Sequence, residues 1–352
     1  MANEVRVAVD AMGGDNAPGE IVKGAVDAVC EAAREGEAKG RIGKIFLVGR
    51  SNLIEPELAR AAESEEARRT PSALSLIEIV NAKEVIEMAE PPVNAIMTKR
   101  DSSIVKAMQM VRAGDADAYV SAGSTGATLV GGQTIIGRVK GVERAPLAPF
   151  IPTEKGASLL IDCGANVDAR ASALVQFARM GSVYFRNSCG VEKPTVAIVN
   201  IGAEEEKGNA LVKETFPLLK ACCDINFIGS AEARDIHAGT VDGLVCEAFT
   251  GNVILKMYEG VGRTALHMLK KGLTKNVRSK LGAALAMPSL KESLGMFDLS
   301  KYGGAPMLGL KGLVVKTHGS AKAAEVKNSI MQCVTFHRMD IGKQIEECLH
   351  DI

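Results

Sequence analysis

Residues 7–18 read Val7-Ala8-Val9-Asp10-Ala11-Met12-Gly13-Gly14-Asp15-Asn16-Ala17-Pro18. Val5, Val7 and Val9 alternate with Arg6 and Ala8, which is the period of a short strand. The strand runs into Asp10 and the pair Gly13-Gly14. Asp15 or Asn16 is then placed to cap a helix starting near Pro18, where proline is tolerated in the first turn. A strand, a glycine turn and a helix N-terminus together aim backbone N–H groups at an anion. The G-x-G-x-x-G spacing of a dinucleotide fingerprint is absent. On the residues alone, a plain tight strand-to-helix turn fits this stretch equally well.

The same grammar recurs along the chain. Ile45 to Val48 ends at Gly49, and Ser75 to Val80 runs into polar residues. Ala118 to Val120 leads into Ser121-Ala122-Gly123-Ser124-Thr125-Gly126. Leu159 to Ile161 leads into Asp162-Cys163-Gly164-Ala165-Asn166, and Thr195 to Val199 into Asn200-Ile201-Gly202. Leu244 to Cys246 precedes Phe249-Thr250-Gly251-Asn252. Helical patterns such as Ile21 to Glu35 and Ser172 to Phe185 lie between them. Strands alternating with helices predict an α/β fold with a largely parallel sheet. Ligands of such sheets sit at the carboxyl ends of the strands, where these polar and glycine residues collect.

Composition narrows the function. The 352 residues are 47% hydrophobic and 24% charged, with zero formal net charge and no Trp. A neutral, aromatic-poor chain lacks both the cationic excess and the stacking platforms of a nucleic-acid binder. The eight cysteines show no C-x-x-C spacing, so neither zinc nor a redox pair is expected. No apolar signal run opens the chain, and no stretch approaches the ~20 apolar residues of a membrane span. A cytoplasmic protein with reduced thiols is expected.

Residues 253–299 have a different texture. Ile254, Met257, Tyr258, Val261, Ala265, Met268 and Leu269 share one helical face, followed by Lys270, Lys271, Lys275, Arg278 and Lys280. Leu281-Gly282-Ala283-Ala284-Leu285-Ala286-Met287-Pro288 comes next. Pro288 is expected to break the helix, with Ser289 to Phe297 returning. The reading is a helical hairpin whose tip carries Leu281, Ala284, Leu285 and Met287 beside lysines. Such a tip suits an anionic membrane surface, and the stem equally suits a dimer interface.

Several motifs carry a resemblance. They are the opening stretch, Lys99-Arg100-Asp101-Ser102-Ser103, Ser121 to Ala127, Asp162 to Asn166, and Asn200-Ile201-Gly202 with Glu204, Glu205, Lys207 and Gly208. Phe249 to Lys256, Tyr302 to Gly309 and His318-Gly319-Ser320 complete the set. In this order and spacing the chain resembles the bacterial acyl-ACP:phosphate acyltransferase (PlsX) family over nearly its whole length. It departs from the family pattern at Ser124, at Glu247-Ala248, at Ser230-Ala231 and at Ala321.

The resemblance implies a three-layer Rossmann-like fold similar to isopropylmalate dehydrogenase and phosphate acetyltransferase. Residues 1–352 would form a single catalytic α/β unit with an interdomain-like cleft, and 253–299 the protruding hairpin. It also implies a homodimer that associates peripherally with membrane. The acyl donor would be acyl-carrier protein, with the acyl-phosphate passed to a membrane glycerol-3-phosphate acyltransferase. No cofactor or metal is expected. A phosphate acetyltransferase using acetyl-CoA and a non-catalytic membrane scaffold are the competing readings. An NAD-dependent decarboxylating dehydrogenase fits less well, because no aspartate cluster for a divalent metal stands out.

Phosphate near neutral pH is already an anionic nucleophile, so this chemistry needs no Ser-His-Asp triad. It needs groups that hold the anion against a carbonyl and stabilise a tetrahedral oxyanion. The catalytic candidates are His318, Lys99, Asn252 and Lys256. Gly13, Gly14, Arg100, Ser124, Thr125, Gly126, Asn166 and Asn200 are candidates for phosphate or oxyanion. Asx-turn roles remain open for Asn166 and Asn200. Asp10 and Asp15 would repel phosphate and are assigned to orienting the glycine turn or a lysine. Cys163 is not needed as a nucleophile.

Overall fold

The computed structural model describes residues 4–36, 41–295 and 302–350. The chain opens with β1 (Glu4–Asp10), α1 (Gly19–Glu35), β2 (Arg41–Gly49), α2 (Ser51–Ala62), α3 (Glu65–Arg69), β3 (Ile77–Asn81) and α4 (Pro92–Thr98). Next come α5 (Ser103–Ala113), β4 (Ala118–Ser121), α6 (Thr125–Gly131), β5 (Phe150–Thr153), β6 (Gly156–Ile161) and α7 (Ala171–Cys189). They are followed by β7 (Thr195–Asn200), α8 (Ala210–Ala221), β8 (Asn226–Glu232), β9 (Gly243–Val245), α9 (Ala248–Leu273) and α10 (Val277–Gly295). The last elements are β10 (Ala305–Met307), β11 (Leu313–Lys316), α11 (Ala323–Arg338) and α12 (Ile341–His350). Two compact units result: Met1–Leu147 with Arg186–Gly190 and Ser300–Ile352, and Ala148–Phe185 with Val191–Leu299.

The first unit is built on the sheet β10-β11-β4-β1-β2-β3, parallel except for β10. Val5, Val7 and Val9 join Ile45, Leu47, Val120 and Val315 in one core with Val22 and Val26 of α1 and Val326 and Ile330 of α11. On the opposite face Ala8, Tyr119 and Val314 are equally buried, and α5 packs on β1 and β2. Strands buried on both faces explain the near-continuous apolar runs. Each fully buried Val or Ile contributes ~1.5–3 kcal/mol. Where each run turns polar, its strand ends: Asp10, Ser121 and Lys316 close three adjacent strands.

The second unit repeats the principle with the sheet β5-β6-β9-β7-β8, parallel except for β5. Leu160, Ala197, Val199, Ala231 and Leu244 form its core with Ile254 of α9, and Tyr258 packs against it. Phe150 meets the rings of Tyr184 and Phe185 of α7 at 5.6 and 5.9 Å. The α/β class with parallel sheets is thus the observed one, its strands divided between two sheets.

Three local expectations are corrected. Neither Asp15 nor Asn16 caps α1 through its side chain. Pro18 holds the cap position, and the Asn16 amide instead donates to the carbonyls of Ser320 and Ala321. Residues Ser75 and Leu76 belong to a short 3-10 turn, so β3 begins at Ile77. Finally, α10 runs through Pro288. Its surroundings are solvent-exposed, so water can reach the Ala284 carbonyl that proline cannot bond. The turn between α9 and α10 lies instead at Thr274, Lys275 and Asn276. There the Asn276 Oδ1 accepts the Ser279 N–H at 2.9 Å. Leu281, Ala284, Leu285 and Met287 therefore ride on α10 rather than at a tip. The end of the expected return segment, residues 296–297, and the remainder of the expected hairpin to 299 lie outside the described residues. No helix of the described residues is long and apolar enough to cross a membrane.

Candidate active site

In the first unit, the loops after β1, β4 and β11 are tied together by hydrogen bonds. Asp10 Oδ1 accepts the Met12 N–H at 3.2 Å, and Asp10 Oδ2 accepts the Ser121 hydroxyl at 2.7 Å. The Ser121 Oγ in turn accepts the Gly123 N–H at 2.9 Å. The Asp15 N–H donates to the Gly319 carbonyl at 2.8 Å, and the Thr317 N–H to the Ser121 carbonyl at 2.9 Å. The close approach requires glycine. A Cβ on Gly13 would lie 2.3 Å from Asp10 Oδ2 and 2.6 Å from the Gly123 nitrogen. Gly14 has φ +98°, which favours glycine, and a Cβ there would meet the Gly319 carbonyl at 2.8 Å.

Asp10 is fully buried, and burial pushes its carboxyl pKa up. Hydrogen bonds from Ser103, Ser121 and the Met12 amide, with the charge of Lys316, pull against that rise. Asp10 thus ties the start of the glycine turn to the end of β4. Asp15 is exposed and contributes its backbone to the Gly319 contact.

His318 is exposed on the turn after β11. Its Nδ1 accepts the Ser320 N–H at 3.2 Å and lies 2.7 Å from the Ser320 Oγ. A backbone N–H only donates, so Nδ1 is the acceptor and the neutral ring carries its proton on Nε2. That leaves an N–H donor pointed away from its own loop.

The other candidates in this unit divide. Ser124 caps α6 by accepting the Ala127 N–H at 3.3 Å, and Thr125 beside it is exposed. Gly126 serves packing, since a Cβ there would lie 2.4 Å from Pro92 Cγ of α4. Lys99 is engaged: its Nζ donates to Glu90 Oε1 at 2.6 Å and to the Val85 carbonyl at 2.7 Å. Arg100 is exposed, its Nε donating to the Met97 carbonyl at 3.4 Å. Ser102 caps α5, its Oγ accepting the Val105 N–H at 3.4 Å.

In the second unit, Asp162 organises the loop after β6. It accepts N–H groups from Ala165 at 3.1 Å and Asn166 at 2.8 Å, and the Asn166 side-chain amide at 2.7 Å. The Asn166 carbonyl then accepts the Ala248 N–H at 3.1 Å, at the start of α9. Glu247 caps that helix through the Thr250 and Phe249 N–H groups. Both donors of the Asn200 amide are committed, to the Lys207 carbonyl and the Ser230 Oγ. Asn200 therefore builds its own loop, and the oxyanion role expected of it is corrected. Asn252 and Lys256 are exposed on α9, and Lys256 pairs with Glu259 at 2.8 Å. Lys207 pairs with Glu204, which raises its pKa. Burial pushes the Cys163 thiol well up, so it is protonated and a poor nucleophile.

Sequence reading assigned no site role to Ser103, Ser121, Lys316, Asp162 or Glu247, although Ser103, Ser121 and Asp162 stand in the quoted motifs and Glu247 at a departure from the family pattern. A signal existed for two of them. Ser121 and Lys316, like Asp10, are the polar last residues of apolar strands.

Comparison with known proteins gives the chain its family. A family model described as fatty acid synthesis protein matches residues 5–344. The phosphate acyltransferase of Clostridium acetobutylicum is 45% identical over 347 residues, 98% of this chain and 99% of that protein. That of Clostridium botulinum is 46% identical over 346 residues, 98% of each chain. Among solved structures, a phosphotransacetylase from Streptococcus pyogenes has TM-score 0.59 at 15% identity, covering 95% of this chain and 94% of that one. A branched-chain phosphotransacylase from Enterococcus faecalis has TM-score 0.51 at 15% identity, covering 97% and 99%. At such identity these structures speak for the fold alone. The family match and the relatives, each spanning nearly the whole chain, establish that the chain is an acyltransferase and belongs to the phosphate acyltransferase family of fatty acid synthesis proteins.

Proposed function

We propose that the protein transfers a long-chain acyl group from the thioester of acyl-carrier protein to inorganic phosphate, releasing acyl-phosphate and free carrier thiol. The observation that supports this most is the group of interlocked strand-end loops in the first unit, whose glycine amides and exposed His318 suit an anion and a thioester. A phosphate oxygen attacks the carbonyl carbon, a C–O bond forms, and the tetrahedral oxyanion collapses with loss of the thiolate. The leaving thiol resembles cysteine, with a reference pKa of ~8.5, so it needs only modest help from an acid. The Nε2–H of His318 is the group to hydrogen-bond the oxyanion, and the thiolate leaves as the anion and takes its proton from solvent. Amides of Gly13 and Gly14 are the candidate anion donors, with Thr125 and Arg100 as further candidates of the first unit. Asn252, Lys256 and Asn166 are the candidates of the second unit.

The product is passed to a membrane glycerol-3-phosphate acyltransferase in this reading. A peripheral, homodimeric protein fits that task. The supporting feature is the exposed apolar surface of α9 and α10, including Met257, Val261, Val277, Leu281 and Leu285.

The test is release of free thiol from palmitoyl-carrier protein with and without inorganic phosphate, the acyl product being trapped by hydroxylamine. Phosphate-dependent release with a trappable acyl group supports the proposal. Release from acetyl-CoA but not from the carrier protein replaces it with phosphate acetyltransferase. Silence on both donors from the folded protein leaves a scaffold.

A further inference from the structure

The buried polar row across β1, β4 and β11 has no place in the reaction as described so far. Asp10, Ser121 and Lys316 are the last residues of three neighbouring strands, and the sheet register sets Lys316 opposite Ser121. Asp10 and Ser121 are fully buried, and Lys316 is 7% exposed. A buried carboxylate and ammonium carry desolvation costs that apolar residues of similar volume avoid. The other buried residues of these three strands are Val, Ala, Leu and Tyr, so the row is a local exception to the logic of the sheet.

Its bonds lead to the loops. Asp10 takes the Ser121 hydroxyl at 2.7 Å, which orients the Ser121 lone pairs toward the Gly123 N–H at 2.9 Å. The Lys316 Nζ donates to the Thr317 carbonyl, and the Thr317 N–H donates to the Ser121 carbonyl at 2.9 Å. His318 follows directly.

We propose that Ser121 and Lys316 are positioning residues of the acyl transfer, which with Asp10 fix the Gly13-Gly14 turn, packed against Gly123, and the His318 turn, and so set the affinity for phosphate. The inference rests on the acyl-transfer reading above. Neither residue touches substrate; each acts through the backbone it holds.

The test compares Ser121→Ala, Lys316→Met and Lys316→Arg with the wild-type protein, using palmitoyl-carrier protein and inorganic phosphate. Ser121→Ala and Lys316→Met are expected to raise the KM for phosphate about tenfold, the size of one lost buried hydrogen bond. The KM for the acyl donor stays unchanged, and Lys316→Arg recovers most of the loss. A phosphate KM that does not move in folded variants overturns the proposal. So does a fall in kcat alone that tracks thermal stability, which is what a merely structural role produces. Because a core variant can fail to fold, the wild-type protein supplies a second measurement. Inorganic phosphate alone is titrated while the Gly13 and Gly14 amide resonances are followed. A saturable shift supports the row's role, and unmoved resonances contradict it. Absence of phosphate-dependent thiol release in the wild type condemns the acyl-transfer reading separately, while the titration of the glycine amides still judges the row.

Discussion

A methyl group on Gly251 would lie 1.8 Å from the Asp162 carbonyl oxygen. Backbone meets backbone there, so nothing soft can yield. Gly251→Ala is predicted to cost about 3 kcal/mol, read as a lowered urea midpoint with an unchanged slope. Cys163 gives the opposite expectation. Its thiol is buried and held protonated, so Cys163→Ala should keep most of the turnover. Loss of turnover in a stable variant would mean a covalent acyl-cysteine route. Asp117 offers a pH test. Burial pushes its carboxyl up, but bidentate bonds from Arg6 outweigh that and hold it below the ordinary 3.8. A depressed carboxyl stabilises the fold above its unfolded pKa and loses that contribution as pH falls through the folded value. The Arg6 side chain is 41% exposed, which limits the pair to about 1 kcal/mol. Asp117→Asn should show that deficit at neutral pH. Chemical denaturation down to about pH 3 should show it closing.

At the scale of elements, legibility followed burial. The strands were readable because parallel strands covered on both faces must be continuously apolar, and the run stops where the strand does. The hairpin was harder. Lysine, alanine and leucine are all good helix formers, so nothing in Leu281 to Met287 distinguishes a turn from a helix interior. Pro288 misled because an exposed helix tolerates what a buried one does not. The turn was written in Asn276, a short polar cap whose signal is weak in isolation. The apolar surface that results is the one proposed above to meet lipid. Leu281 and Leu285 are 65% and 80% exposed, one helical turn apart on α10. Leu281→Glu with Leu285→Glu should abolish cosedimentation with anionic vesicles while soluble acyl transfer persists. Undiminished binding would remove α10 from the membrane contact.

Across the molecule, chemistry is gathered by strand order, which no local pattern encodes. Residues 10, 121 and 316 are remote in sequence and meet because β4 lies between β1 and β11. The opening stretch therefore showed a glycine turn but not the loops that meet it. Lys99 shows the converse. A cation beside two serines looked like an anion ligand, yet a carboxylate nine residues earlier already holds it. Asn200 shows it again, its amide spent on its own loop. Family membership supplies the acyl transfer, and the first unit's loops are where we propose that phosphate binds. The most direct test of the account is phosphorus-31 NMR of the protein with palmitoyl-carrier protein and inorganic phosphate. The account predicts an acyl-phosphate resonance that grows in step with free carrier thiol and is absent without protein. Thiol released with the inorganic phosphate signal undiminished, and no new resonance, would contradict it.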